Sequence, residues 1–134
     1  MEEAFLAGTR VLIVEFEPLT AMNLHDIVAE AGGEAALITT TPDQALTALQ
    51  SANFDFAILD ISTRDKNAIE VAQRLVKKRV PFVVTISDEF TPAGFPKSIL
   101  LRKPFSIAQF RGAVETTQRF MRQNEWPPMT RHIG

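Results

Sequence analysis

The chain contains no cysteine, which excludes disulfides, thiolate metal sites and a thiol nucleophile. Its two histidines, His25 and His132, lack ligand-like spacing. No apolar run approaches the roughly 20 residues of a membrane span. The acidic start Met1-Glu2-Glu3-Ala4 lacks the basic opening of a signal peptide, so a cytoplasmic location is expected, with no membrane contact. A net charge of −2 gives no reason to expect nucleic-acid binding. The loose basic cluster Lys77-Lys78-Arg79 reads as the end of a helix, where cations favour its negative pole. There is no repeat, low-complexity tract or interdomain linker. What remains is 134 residues, 46% hydrophobic and 22% charged, enough for one domain with a single core.

Apolar runs and amphipathic segments alternate along it. Val11–Val14 reads as a buried strand. Pro18 then suits a first helical position, and Leu24, Ile27, Val28 and Ala31 follow at helical spacing. Gly32-Gly33 closes that helix. Ala35–Ile38 is a second strand. Thr41-Pro42-Asp43-Gln44 has the form of a capping box, with Ala45, Leu46 and Leu49 on the buried face of its helix. Phe54–Asp60 is a third strand, and Ala68, Val71, Ala72 and Leu75 mark the next helix. Pro81 opens a fourth strand, Phe82–Ile86. A fifth covers Ile99–Leu101. Ser106-Ile107-Ala108-Gln109 caps a last helix with Phe110, Ala113, Val114, Thr117 and Met121 on one face.

Alternating strands and helices imply a parallel sheet covered on both sides. One connection breaks the pattern. Ser87 to Ser98 carries Pro92, Gly94 and Pro96, which leaves no room for a regular three-turn helix, so a loop or one short turn is expected. Residues 1–8 are expected to fray, 9–123 to form the domain, and 124–134 to be irregular. Trp126 either folds back onto the domain or anchors a partner.

Phe56-Ala57-Ile58-Leu59-Asp60 ends a buried strand in a carboxylate. Ligands and chemistry collect at the carboxyl ends of parallel strands. Glu15-Phe16-Glu17 follows the first strand and Lys103-Pro104 the fifth. Three strand ends thus supply acids and a lysine to one candidate phosphoryl-accepting pocket.

These residues, with Val80–Val84 and Leu101-Arg102-Lys103-Pro104-Phe105, resemble the receiver domain of bacterial two-component response regulators over about residues 9 to 122. The resemblance implies a flavodoxin-like, doubly wound five-stranded parallel α/β sheet in order 2-1-3-4-5. The helix after its fourth strand is short or missing. It implies a signalling module, not an enzyme, with Asp60 as phospho-acceptor and Lys103 as partner of Asp60 and the phosphate. It also implies Mg²⁺ held by Glu15 and Asp60, and a cis peptide before Pro104. Implied partners are a histidine kinase, a phosphotransfer protein or another signalling protein, with a homodimer through the last strand and helix. The final dozen residues hold no helix-turn-helix.

Two positions depart from the family's pattern. The second acid, ordinarily a direct metal ligand, falls on Phe16, which has no oxygen to offer. Glu17 should already be turning into the helix. With both acids the pocket would carry a formal charge of −2; with Glu15, Asp60 and Lys103 it carries −1. Weak or absent Mg²⁺ binding and a standing Lys103–Asp60 ion pair are therefore expected. The switch hydroxyl falls on Ile86 when counted without gaps from Pro81, with Thr85 or Ser87 as substitutes. Three readings follow: a phospho-receiver with weakened metal affinity, with a fully conventional phospho-accepting receiver as its alternative; a pseudo-receiver, an interaction module whose output does not depend on phosphorylation; and a small phosphatase or dehalogenase. The last is disfavoured by Asp60-Ile61-Ser62, which lacks the second aspartate two residues on.

Overall fold

Short strands buried along almost their whole length organise the chain. A computed structural model describes residues 4–61, 66–87 and 92–126. The elements are β1 (Arg10–Val14), α1 (Pro18–Glu30), β2 (Glu34–Thr39), α2 (Pro42–Ser51) and β3 (Phe56–Asp60). They continue as α3 (Lys66–Lys77), β4 (Phe82–Ile86), β5 (Leu100–Arg102) and α4 (Ile107–Arg122). The five strands form one parallel sheet in the order β2-β1-β3-β4-β5, the flavodoxin-like arrangement.

Central parallel strands are covered on both faces and so read as unbroken apolar runs. Successive side chains still divide between the faces. Leu12, Val14, Ala57, Leu59, Phe82, Val84 and Ile86 pack with α2 and α3. Val11, Ile13, Phe56, Ile58, Val83 and Leu101 pack with α1 and α4, against Leu24, Val28, Phe110 and Val114. Each large side chain buried this way contributes about 1.5–3 kcal/mol.

The helix starts follow from their caps. Glu17 precedes Pro18 and its Oε1 accepts from the Leu19 amide at 2.8 Å. Ser106 and Gln109 make the reciprocal capping box in full. At α2 the box is incomplete. Thr41 Oγ1 accepts from the Gln44 amide at 3.2 Å, but Gln44 Oε1 turns back to the Thr40 amide instead.

Between β4 and β5 the described residues hold only a 3-10 turn, Lys97–Ile99. The fifth strand therefore starts at Leu100 and not at Ile99. The N-terminal expectation needs correction. Residues 1–3 lie outside the described residues, but residues 4–8 are packed onto the domain. Phe5 and Leu6 are apolar despite the acidic start. Leu6 is fully buried and its amide donates to the Ala31 carbonyl at 2.9 Å. The Phe5 carbonyl accepts from Gln118 Nε2 at 3.1 Å. The C-terminal boundary moves too, since Trp126 is buried. Residues 127–134 lie outside the described residues.

Gly32 is where the N-terminal segment meets α1. Its φ is +86°, and a Cβ there would sit 2.8 Å from the Ala4 Cβ and 3.3 Å from the Ala7 Cα. Gly8 has φ +75° with open space around it. Gly8→Ala should therefore cost only the left-handed penalty of about 1–2 kcal/mol. Gly32→Ala should cost clearly more in urea denaturation, and equal losses would show that residues 4–8 do not pack on α1.

Candidate functional site

The alternation that builds the core also builds the site. Glu15 follows Ile13 at a two-residue step, Asp60 follows Ile58, Thr85 follows Val83 and Lys103 follows Leu101. All four continue the sheet face that packs against α1 and α4. β1, β3, β4 and β5 end at the same edge, so the polar residues meet there.

Lys103 is the hub. Its Nζ lies 2.9 Å from Glu15 Oε1 and 3.2 Å from Asp60 Oδ1. Thr85 is the register partner of Asp60 across β3 and β4, and its Oγ1 donates to Asp60 Oδ1 at 3.4 Å. Glu15 is fully buried, and its Oε2 accepts from the Glu17 amide at 3.2 Å. The backbone anchors the lysine as well: the Lys103 amide donates to the Ile86 carbonyl at 2.9 Å. The Lys103–Pro104 peptide is cis.

Glu15 is thus a buried, ion-paired acid. Burial pushes its carboxyl up from the ordinary value of 4.5, and the nearby Asp60 charge adds to that, while Lys103 opposes both. A desolvated carboxylate with one counter-charge depends heavily on that charge.

Phe16 does not pack into the core. It is 60% exposed and lines one wall of an open pocket of about 380 Å³, together with Glu15, Asp60, Asp43 and Asn67. Asn67 Nδ2 donates to Asp43 Oδ1 at 2.8 Å, tying the starts of α3 and α2 together across the pocket.

Ile86, taken from sequence as the switch position, needs correction. It is buried on the opposite face with Val84 and Phe82. The hydroxyl beside Asp60 belongs to Thr85. Counting from Pro81 failed because a count along the chain does not say which face of β4 each side chain takes. Matching the parity of Val83 to that of Ile58 would have selected Thr85. Ser87 forms a bridge beyond the strand, and its carbonyl accepts from Arg102 Nη1 at 3.1 Å. Glu17 serves as the cap of α1. The Asp43–Asn67 link carried no sequence signal, because neither residue belongs to a strand end.

The donors present fit an octahedral Mg²⁺ poorly. Such an ion needs oxygens free to turn toward it. Glu15 and Asp60 both face Lys103, and Phe16 supplies no oxygen. Among the described residues no group of three His, Cys, Asp or Glu side chains converges to hold a metal.

No family model matches the chain. Among curated proteins it is 31% identical over 115 residues to the sensory transduction protein LytR of Staphylococcus haemolyticus, covering 78% of this chain and 43% of that protein. It is 29% identical over 123 residues to an uncharacterized response regulatory protein of Vibrio cholerae, covering 87% and 47%. The chain spans a little under half the length of these two relatives. Among solved structures, SdrG from Sphingomonas melonis Fr1 superposes with a TM-score of 0.73 at 28% identity, over 88% of this chain and 99% of that one. The receiver domain of the Erythrobacter litoralis response regulator PhyR superposes with a TM-score of 0.69 at 24% identity, over 85% and 92%, which speaks for the fold alone.

Two outcomes are expected from the Lys103 hub. Lys103→Met should destabilise the fold by about 3–5 kcal/mol, because it leaves a buried carboxylate without its counter-charge. Adding Glu15→Gln should recover most of that loss; a double variant no better than Lys103→Met would refute the pairing. A raised folded-state value means that Glu15 adds stability below pH 4.5, which is lost as pH rises through the folded value. Glu15→Gln removes this dependence. The stability of the Gln variant relative to the natural chain should therefore rise from pH 4.5 upward, by about 1.4 kcal/mol for each unit of the shift. Guanidinium titrations across that range would read it, and a flat difference would refute the raised value.

Proposed function

We propose that this chain, a receiver domain of the response-regulator family, relays two-component signals through protein contacts with impaired Mg²⁺-dependent phosphorylation of Asp60. Phosphoryl transfer to a carboxylate depends on positioning and on neutralising charge at the transferred group. Here the Lys103 ammonium is already shared by Glu15 and Asp60, and the position of the second acid is a phenylalanine. The observation that carries the reading is this preformed ion-pair network beside Phe16. It gives the pocket, without metal, much of the charge balance that a metal would otherwise supply. The module works by binding and performs no catalysis of its own.

The exposed side of the same edge supports a contact role. Phe16, Leu19 and Met22 are 60%, 77% and 64% exposed, beside the pocket and along the first turns of α1. No lysine or arginine stands between Arg10 and Arg64. A complementary partner surface would be apolar with a basic rim, on a kinase, a phosphotransfer protein or another signalling protein. β5 and α4 offer a second surface, suited to a homodimer.

One observation favours the conventional alternative. Asp60, Lys103 and a hydroxyl, that of Thr85, are together in one place, so three of the groups a phospho-accepting receiver uses are present.

Amide NMR titration with Mg²⁺ and then beryllofluoride, a mimic of the aspartyl phosphate, separates the two. Impaired phosphorylation predicts no saturable shift at Glu15, Asp60 or Lys103 at millimolar Mg²⁺. Phe16→Asp should restore saturable binding, and Asp60→Asn should abolish any phosphorylation that remains. Saturable shifts in the natural chain would establish the conventional reading instead.

A further inference from the structure

Removing a helix from one side of a parallel sheet leaves apolar strand surface that something must cover. In this chain the exposed stretch would be β4, where Phe82, Val84 and Ile86 point to the face lacking a helix before β5. All three are buried. Their cover comes partly from the β4–β5 connection, through Phe95 and Ile99, and partly from beyond α4, through Trp126.

The two aromatic rings converge on one strand residue. Phe95 stands edge-on to Phe82 at 6.2 Å and 82°. Trp126 stands edge-on to the same ring at 5.3 Å and 88°. Edge-to-face pairs at this separation are favourable beyond their buried area.

Trp126 arrives from the opposite side of the sheet. α4 packs with Phe110, Ala113 and Val114 on the α1 face. The chain changes faces through a built turn. Asn124 has φ +56°. Its amide donates to the Met121 carbonyl at 3.1 Å, and the Glu125 amide donates to the Phe120 carbonyl at 2.8 Å. That pair of bonds is the Schellman ending of a helix, with asparagine in the left-handed position usually given to glycine. Arg79 Nη2 adds a bond to Asn124 Oδ1 at 3.4 Å. Trp126 is only 4% exposed, yet among the described residues its Nε1 hydrogen has no acceptor. Among the described residues it is apolar contact that holds the ring, at the cost of a desolvated donor.

We propose that the slot left by the missing helix is a docking site for the chain's own Asn124–Trp126 segment, and that this segment is a releasable strap. Docking of Trp126 and packing of the β4–β5 connection form one cooperative unit, because both rest on Phe82. The connection links β4, which carries Thr85, to β5, which Lys103 follows, so through Phe82 the strap is coupled to both residues that hold Asp60. A partner or chain segment that draws Trp126 out loosens the connection on the far side of the sheet from α4.

The chain has one tryptophan, so its fluorescence reports the strap directly. The natural chain is expected to show blue-shifted emission and poor quenching by acrylamide. Phe95→Ala should shift emission to the red and raise quenching. Trp126→Ala should speed amide exchange at residues 92–100 by about tenfold or more while β1 and β3 keep their protection. Trp126→Phe, which keeps an aromatic ring and removes the unpaired donor, should retain that protection. Emission typical of a solvent-exposed indole would overturn the proposal. So would exchange at residues 92–100 in Trp126→Ala that stays within about twofold of the natural chain. If Trp126→Ala loses the whole fold, the Phe95→Ala fluorescence decides: an unchanged spectrum refutes the coupling and a red shift supports it.

Discussion

A single ammonium group, that of Lys103, stands between two carboxylates at the mouth of an otherwise apolar sheet. Glu15 has no solvent to share a charge, so Lys103 is the counter-charge that opposes the upward push of burial on its carboxyl. Asp60 is held by the same group and by Thr85. The ends of β1, β3, β4 and β5 are thereby tied together electrostatically. In a low-dielectric setting such a knot costs much to break from one side and little to replace as a whole. That asymmetry makes the lysine a structural as well as a chemical residue.

Phe16 changes the make-up of the pocket wall beside the knot. An acid at that position would add negative charge and an oxygen on the pocket wall, and a divalent cation would then be the natural way to balance the cluster. With phenylalanine, the lysine nearly suffices. The ring is left largely in solvent beside Leu19 and Met22, where an apolar group gains only when something covers it. Phenylalanine thus gives this edge apolar surface in place of a carboxylate oxygen. The acidic character of residues 11–61 sets the sign of the charge that would complement it.

Among the described residues between β4 and β5 there is only a 3-10 turn, and this has a parallel consequence on the other face. The sheet keeps its core, because Phe95, Ile99 and Trp126 fill the gap. The cover is now assembled from two distant parts of the chain. Cover of that kind can open more readily than one continuous helix, since each part is anchored by fewer contacts of its own. β4 thus has a helix-backed face toward α1 and α4, and a composite face toward Phe95, Ile99 and Trp126.

Much of this was legible in the residue order. Apolar runs ended by Asp60 and Lys103, helical spacing between them, and prolines at 92 and 96 determine the five parallel strands, their order through the family resemblance, and the missing helix. These are local properties, set by side-chain period and by the backbone limits of proline. Tertiary structure decided the rest. Whether Thr85 or Ile86 meets Asp60 depends on which face of β4 each side chain takes, and only pairing with β3 fixes that. Whether Glu15 is a surface acid or a buried one depends on Lys103, eighty-eight positions later. Whether Trp126 is tail or core depends on a gap that no single segment defines. Burial and charge pairing between distant residues are properties of the assembled sheet, so the sequence could name the participants but not their partners.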